Sequence, residues 1–179
     1  MSVRLALVGR NIRHSKSPEL QKQIWGEALD CYDLIDVEEG DLPSLSELSK
    51  RYIGINVTTP YKEAYITQVT IESEVARLIG AVNTISLIDM SAINTDAIAV
   101  EKLLRDYLQE IPKLRIHLLG AGVMARMTRI ISQGLGLELF EYTRALNGDL
   151  SDLDLSNLES NDLVINSCSR SFVYQGSIS

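Results

Sequence analysis

Leu114-Arg115-Ile116-His117-Leu118-Leu119-Gly120-Ala121-Gly122-Val123-Met124-Ala125 is the stretch that decides the fold class. Leu114–Leu119 reads as a buried strand, Gly120-Ala121-Gly122 as a tight turn, and the run from Val123 to about Gly134 as a helix. A strand, a G-x-G-x-x-A turn and a helix in that order form the context of a dinucleotide fingerprint in a doubly wound sheet. The glycines permit the turn and let backbone N–H groups at a helix N-terminus approach a pyrophosphate. The same turn also serves as a plain connection in any βα unit, so Gly120, Gly122 and Ala125 leave both readings open. Leu137–Tyr142 and Asp162–Asn166 read as the next strands. Glu141 lies 21 residues after Gly120, where an acidic residue can hold a ribose hydroxyl. Arg144 lies just beyond and could instead hold a 2′-phosphate. Either could equally be an ordinary surface charge.

Upstream, strands and helices keep alternating. Leu5–Val8, Leu34–Val37, Ile53–Val57 and Ala81–Ile88 read as strands. Ser17-Pro18-Glu19 opens a helix that runs to about Leu29, with Ser17 as N-cap and Pro18 at the first helical position. Leu42–Tyr52 has helical spacing, and Pro60 suits the first turn of another helix. A further helix spans about Ala97–Glu110, stopped by Pro112, with Asp96 as a candidate N-cap. Strands alternating with helices predict α/β architecture: an N-terminal, mainly parallel βαβ domain over 1–97, followed by a partial Rossmann-like domain over 98–179.

Composition limits the function classes. Apolar residues make up 45% of the 179 and charged residues 23%, and mean hydropathy is near zero, as expected of a globular protein. No apolar run approaches the roughly twenty residues of a membrane span. The formal net charge of −7 and the lack of a basic stripe argue against nucleic acid as a partner. Cys31 and Cys168 form no disulfide framework, and His14 and His117 are isolated, so no metal site is expected. A reducing, cytoplasmic setting is the expectation.

Polar clusters stand where the first-half strands end: His14-Ser15-Lys16-Ser17, then Asn56-Val57-Thr58-Thr59-Pro60-Tyr61-Lys62, then Asn83-Thr84, then Asn94-Thr95-Asp96. Ligands of open α/β sheets sit outside the carboxyl ends of strands, so the loops after strands one and three could face one crevice. Hydroxyls, amides, an ammonium and a carboxylate suit a small hydroxylated acid. Lys62 and Asp96 are the candidate proton-handling pair. Taken singly, each of these residues could also be a cap or a solvated surface group.

These pieces resemble the shikimate dehydrogenase family. The resemblance rests on Gly9–Pro18 (GRNIRHSKSP), Gly54–Lys62 (GINVTTPYK), Ile79–Ile85 (IGAVNTI), Asn94–Asp96 (NTD), Gly120–Arg126 (GAGVMAR) and Asp162–Asn166 (DLVIN). It implies reversible, NADP(H)-dependent reduction of 3-dehydroshikimate to shikimate, on the route to aromatic amino acids. It also implies roles: Lys62 and Asp96 catalytic; Ser15 and Ser17 on the substrate carboxylate; Thr58 and Asn83, with Asp96, on its hydroxyls; Gly120, Gly122 and Ala125 at the diphosphate. Hydride addition to a ketone develops an alkoxide, which a nearby ammonium stabilises and protonates.

The chain departs from the family pattern at several places. Val123 stands where a second adjacent glycine is common, and Tyr142-Thr143-Arg144 stands for the family's Asn-Arg-Thr. Ala92 and Ala99 replace glycines, and Gln21-Lys22 replaces a His-Asn pair. The family usually continues past this length and returns a glutamine to the substrate site, a residue Gln175 does not match. The expectation is therefore a truncated or shortened relative, with exposed apolar surface that invites a homo-oligomer. Two alternatives follow. One is a non-catalytic protein that binds a shikimate-like ligand. The other is a quinate/shikimate enzyme using NAD, favoured by Glu141.

Overall fold

The structure, a computed structural model, describes residues 2–169 and 171–176. Met1 of the opening stretch and the last three residues of Tyr174–Ser179 lie outside the described residues. The chain divides into two compact units between Thr95 and Asp96.

The first unit contains β1 (Val3–Gly9), α1 (Ser17–Trp25), β2 (Leu29–Asp36), α2 (Leu45–Leu48), β3 (Gly54–Val57), β4 (Thr70–Ile71), α3 (Glu74–Ile79), β5 (Thr84–Ser86) and β6 (Ser91–Ile93). They form one sheet in the order β2-β1-β3-β5-β6-β4. β1 runs parallel to both β2 and β3, with Leu7 opposite Leu34 and Asn56. β5 runs antiparallel to β3, with Asn56 opposite Thr84. The strand expected over 81–88 is shorter because the chain turns back into β6. Asp89 drives that turn: its carboxylate accepts from the Ser91 N–H at 3.2 Å and the Ser91 hydroxyl at 3.0 Å, a local bond that competes with strand continuation.

Alternation along the strands sorts the sheet's two faces. Ala6, Val8, Ile55 and Val57 point to one face, where Leu45, Leu48, Tyr52, Tyr61 and Tyr65 close a core. Tyr61 and Tyr65 donate their hydroxyls to the carbonyls of Val37 (2.9 Å) and Pro43 (2.6 Å), so their rings are buried without stranding a polar tip. Burial pushes the Tyr65 phenol up to about 12. α2 is one turn, shorter than the expected 42–52. Its start is fixed by a capping box in which Ser44 accepts from the Glu47 N–H and Glu47 from the Ser44 N–H. The opposite face carries Tyr32, Asn56 and Thr84, joined by side-chain hydrogen bonds.

The second unit contains α4 (Thr95–Glu110), most of which falls within it, β7 (Arg115–Leu119), α5 (Val123–Gly134), β8 (Glu138–Tyr142), α6 (Arg144–Asn147) and β9 (Asp162–Asn166). Its sheet is wholly parallel, in the order β8-β7-β9. Ile116, Leu118 and Leu119 of the central strand are buried, as are Ala125, Met127 and Ile131 of α5. Each such aliphatic side chain contributes about 1.5–3 kcal/mol, enough for apolar burial to outweigh the single exposed ion pairs on α4. Among the described residues, no helix is long and apolar enough to cross a membrane.

Candidate active site

In the first unit, the loops after β1 and β3 are laced together by their backbones. The Thr58 N–H donates to the Val8 carbonyl at 2.9 Å and the Arg10 N–H to the Thr59 carbonyl at 3.2 Å. Gly9 is required at this crossing, because a Cβ there would stand 2.5 Å from Thr58 Cγ2 and 2.6 Å from Ile12 Cγ2. Two further bonds bring in the remaining segments: Val57 N–H to the Asn83 carbonyl at 2.9 Å, and Val82 N–H to the Lys62 carbonyl at 2.8 Å. The one-turn 3-10 helix Tyr61–Glu63 thereby sets Lys62 beside Asn83. The segments that carry Thr58, Lys62 and Asn83, far apart in sequence, are thus joined through their backbones at the strand ends.

Ser15 and Ser17 meet each other. The Ser15 hydroxyl donates to Ser17 Oγ at 3.0 Å, and Ser15 Oγ accepts from the Ser17 N–H at 3.2 Å. The expected capping role of Ser17 is corrected here: α1 begins at Ser17, its cap position is Lys16, and no side chain caps it. The Ser17 hydroxyl is therefore not spent on the helix. Asp96 is also not a cap, because α4 already begins at Thr95. Asp96 lies in the first turn, where the helix dipole favours a carboxylate.

Asn83 is 8% exposed, and its side-chain oxygen is fully engaged. It accepts from the Thr95 N–H at 2.8 Å, the Thr95 hydroxyl at 3.0 Å and the Thr84 hydroxyl at 3.2 Å. This leaves the NH2 end as the part of Asn83 offered to a ligand. Asn56 donates to Thr84 Oγ1 at 3.0 Å and to the Asn83 carbonyl at 3.3 Å, and accepts from the Tyr32 hydroxyl at 2.8 Å. Burial pushes the Tyr32 phenol up to about 12, against a hydrogen bond with the Ser17 side chain that pulls it down, so the phenol stays protonated at neutral pH. Tyr32 and Thr84 were not among the sequence candidates. β2 begins at Leu29, earlier than its apolar run suggests, and this brings Tyr32 into the sheet.

In the second unit, the glycine turn opens as expected of an anion cradle. Gly120 has φ +112°, and a Cβ there would press on Ser167 Oγ at 2.8 Å. Gly122 is the cap residue of α5, no side chain caps that helix, and its first turn carries no acidic group. A Cβ on Gly122 would meet nothing within 4 Å, so the space above the helix N-terminus is open. Ala125 is fully buried, giving the close helix–strand packing the third motif position requires. The residues fit a diphosphate. Glu141 is paired: its Oε1 accepts from Arg129 Nε at 2.7 Å and Nη2 at 2.6 Å. Arg144, exposed at the start of α6, is placed where its charge acts on Asp149 and the Cys168 thiol.

Residues 7–85 match the family model described as the shikimate dehydrogenase substrate binding domain. The chain is 30% identical over 192 aligned positions to a shikimate dehydrogenase (NADP(+)) of Shewanella halifaxensis, covering 96% of this chain and 69% of that protein. It is 38% identical over 128 positions to one from Clostridium perfringens, covering 67% of this chain and 46% of that protein. Among solved structures, it is similar to Thermus thermophilus shikimate 5-dehydrogenase in complex with NADP(H) and shikimate. That match has TM-score 0.71 and 27% identity, over 93% of this chain and 68% of the other. With 30% identity over 69% of a shikimate dehydrogenase and a substrate-binding-domain match over residues 7–85, the chain belongs to the shikimate dehydrogenase family.

Proposed function

We propose that the protein is an NADP(H)-dependent shikimate dehydrogenase that reduces 3-dehydroshikimate to shikimate in the cytoplasm, on the route to aromatic amino acids. The observation that carries this reading is the backbone lacing of the segments that bear Thr58, Lys62 and Asn83, in the module that matches a substrate binding domain. Ser15 and Ser17 present hydroxyls to the substrate carboxylate, and Thr58 and the Asn83 NH2 contact ring hydroxyls. The first unit acts as the substrate-binding catalytic domain and the second as the nucleotide domain. Gly120, Gly122 and Ala125 hold the diphosphate there, and Arg144 meets the 2′-phosphate.

Bound NADPH supplies the hydride. Lys62 stabilises the oxygen that gains negative charge and gives it a proton, and Asp96 is the second catalytic residue. In the oxidative direction the same lysine takes the hydroxyl proton. Mixing the protein with shikimate and NADP+ tests the reading. Formation of reduced nicotinamide is expected. Shikimate binding by calorimetry without turnover would instead favour a non-catalytic binding protein, and no binding at all would refute the pocket assignment.

A further inference from the structure

A run of side-chain hydrogen bonds crosses the first unit's sheet. It starts at the Tyr32 phenol and continues through Asn56 and Thr84 to Asn83. Each member's role is set by the next. The Asn56 NH2 donates to Thr84 Oγ1, so the Asn56 oxygen faces Tyr32 and the phenol must donate. Thr84, having accepted from Asn56, donates to the Asn83 oxygen. The Asn83 amide is thereby held with its NH2 end outward. None of these bonds belongs to the β2–β1–β3 backbone ladder, so the sheet pairing does not depend on them.

We infer that Tyr32 is a positioning residue for the substrate pocket: its hydroxyl fixes the Asn56 amide and, through Thr84, the face that Asn83 turns to a hydroxylated acid. The inference rests on the proposed function. A pocket that must hold hydroxyls gains from having the amide that contacts them fixed in advance, because less freedom is lost on binding. Tyr32 starts the run that fixes that amide.

Two nearly isosteric variants, Tyr32→Phe and Thr84→Val, each break one link. Each is expected to raise the KM for shikimate about tenfold, the size of one lost positioning hydrogen bond, with kcat changed less than about twofold. The double variant is expected to lose no more than the worse single, because both act through one chain. A merely structural role would instead lower the melting midpoints additively and leave KM unmoved, and that result would overturn the inference. If the wild-type protein neither binds nor turns over shikimate, the functional reading falls and the inference falls with it. If the wild type does both and Tyr32→Phe matches its KM, only the inference falls.

Discussion

The side-chain oxygen of Asn83 holds Thr95 twice, through its backbone N–H at 2.8 Å and its hydroxyl at 3.0 Å. One atom thus pins the turn that leads into α4, while the other end of the same amide is left for a ligand. The two jobs are separable. Asn83→Asp keeps an acceptor for Thr95 but replaces the NH2 donor with an acceptor. It is expected to fold with a melting midpoint close to wild type and to lose shikimate affinity by about tenfold or more. Asn83→Ala is expected to lose both. Calorimetric titration beside thermal unfolding reads the two effects apart, and unchanged affinity in Asn83→Asp would remove Asn83 from the pocket.

Lys62 sits on a 3-10 turn whose carbonyl is held by the Val82 N–H, so truncating its side chain leaves the local backbone bond in place. Lys62→Ala is expected to lower turnover by about a thousandfold, within the range for a general acid, while shikimate binding survives in part. Lys62→Arg keeps a charge but cannot give up its proton, and it is expected to be nearly as inactive. Near-normal turnover in either variant would remove the lysine from the chemistry.

Much of this arrangement was legible in the sequence. The Gly120–Gly122 turn and the Asp162–Asn166 strand stand where their residue patterns put them, because glycine spacing and a short apolar run are local signals. The joining of the segments that carry Thr58, Lys62 and Asn83 was anticipated only as loops sharing strand ends. The backbone bonds that lace the loops, such as Thr58 to Val8, leave no sequence trace. Local rules also misassigned Ser17. Before Pro18 it reads as a cap, yet the helix takes Lys16 at that position and the Ser17 hydroxyl accepts from Ser15 instead. Tyr32 was invisible for a different reason. A tyrosine before an apolar run carries no pattern of its own, and its meaning comes from Asn56, 24 residues away.

The Arg129–Glu141 ion pair and Arg144 bear on the expected cofactor preference. Glu141 is the acid that would repel a 2′-phosphate, and Arg129 holds it at 2.6 Å. Arg129→Ala is expected to free that charge and shift the ratio of KM values toward NAD by about tenfold. Arg144→Ala is expected to weaken NADP by a similar factor and leave NAD unchanged, the loss of one charge-assisted hydrogen bond. Steady-state kinetics with both cofactors check this. An equal loss for NAD and NADP in Arg144→Ala would show that the guanidinium does not read the 2′-phosphate.

Asp162 joins β9 to β7 and sets the acid limit of the second unit. Its side chain is 1% exposed. It accepts from Arg115 Nε at 2.6 Å and Nη2 at 2.7 Å, and from the Glu159 N–H at 2.7 Å. The Arg115 hydrogen bonds, helped by the Glu159 N–H and the charge of Arg115, hold the carboxyl well below the usual carboxylate range against the opposing effect of burial. A carboxyl depressed in the folded state adds stability that is fully present above its unfolded value, about 4, and is lost as pH falls toward the folded value. Denaturant midpoints are therefore expected to be insensitive to this group above about pH 5 and to drop as acid is added through about pH 4 and below. Asp162→Asn is expected to lower stability at neutral pH by about 2 kcal/mol, since it removes the charge-assisted bonds to Arg115 and leaves that guanidinium with Glu159 alone, at 3.1 Å, and to flatten the acid limb. A variant as stable as wild type at neutral pH, with an unchanged acid limb, would show that the strand pairing rather than the carboxylate holds β9 in place.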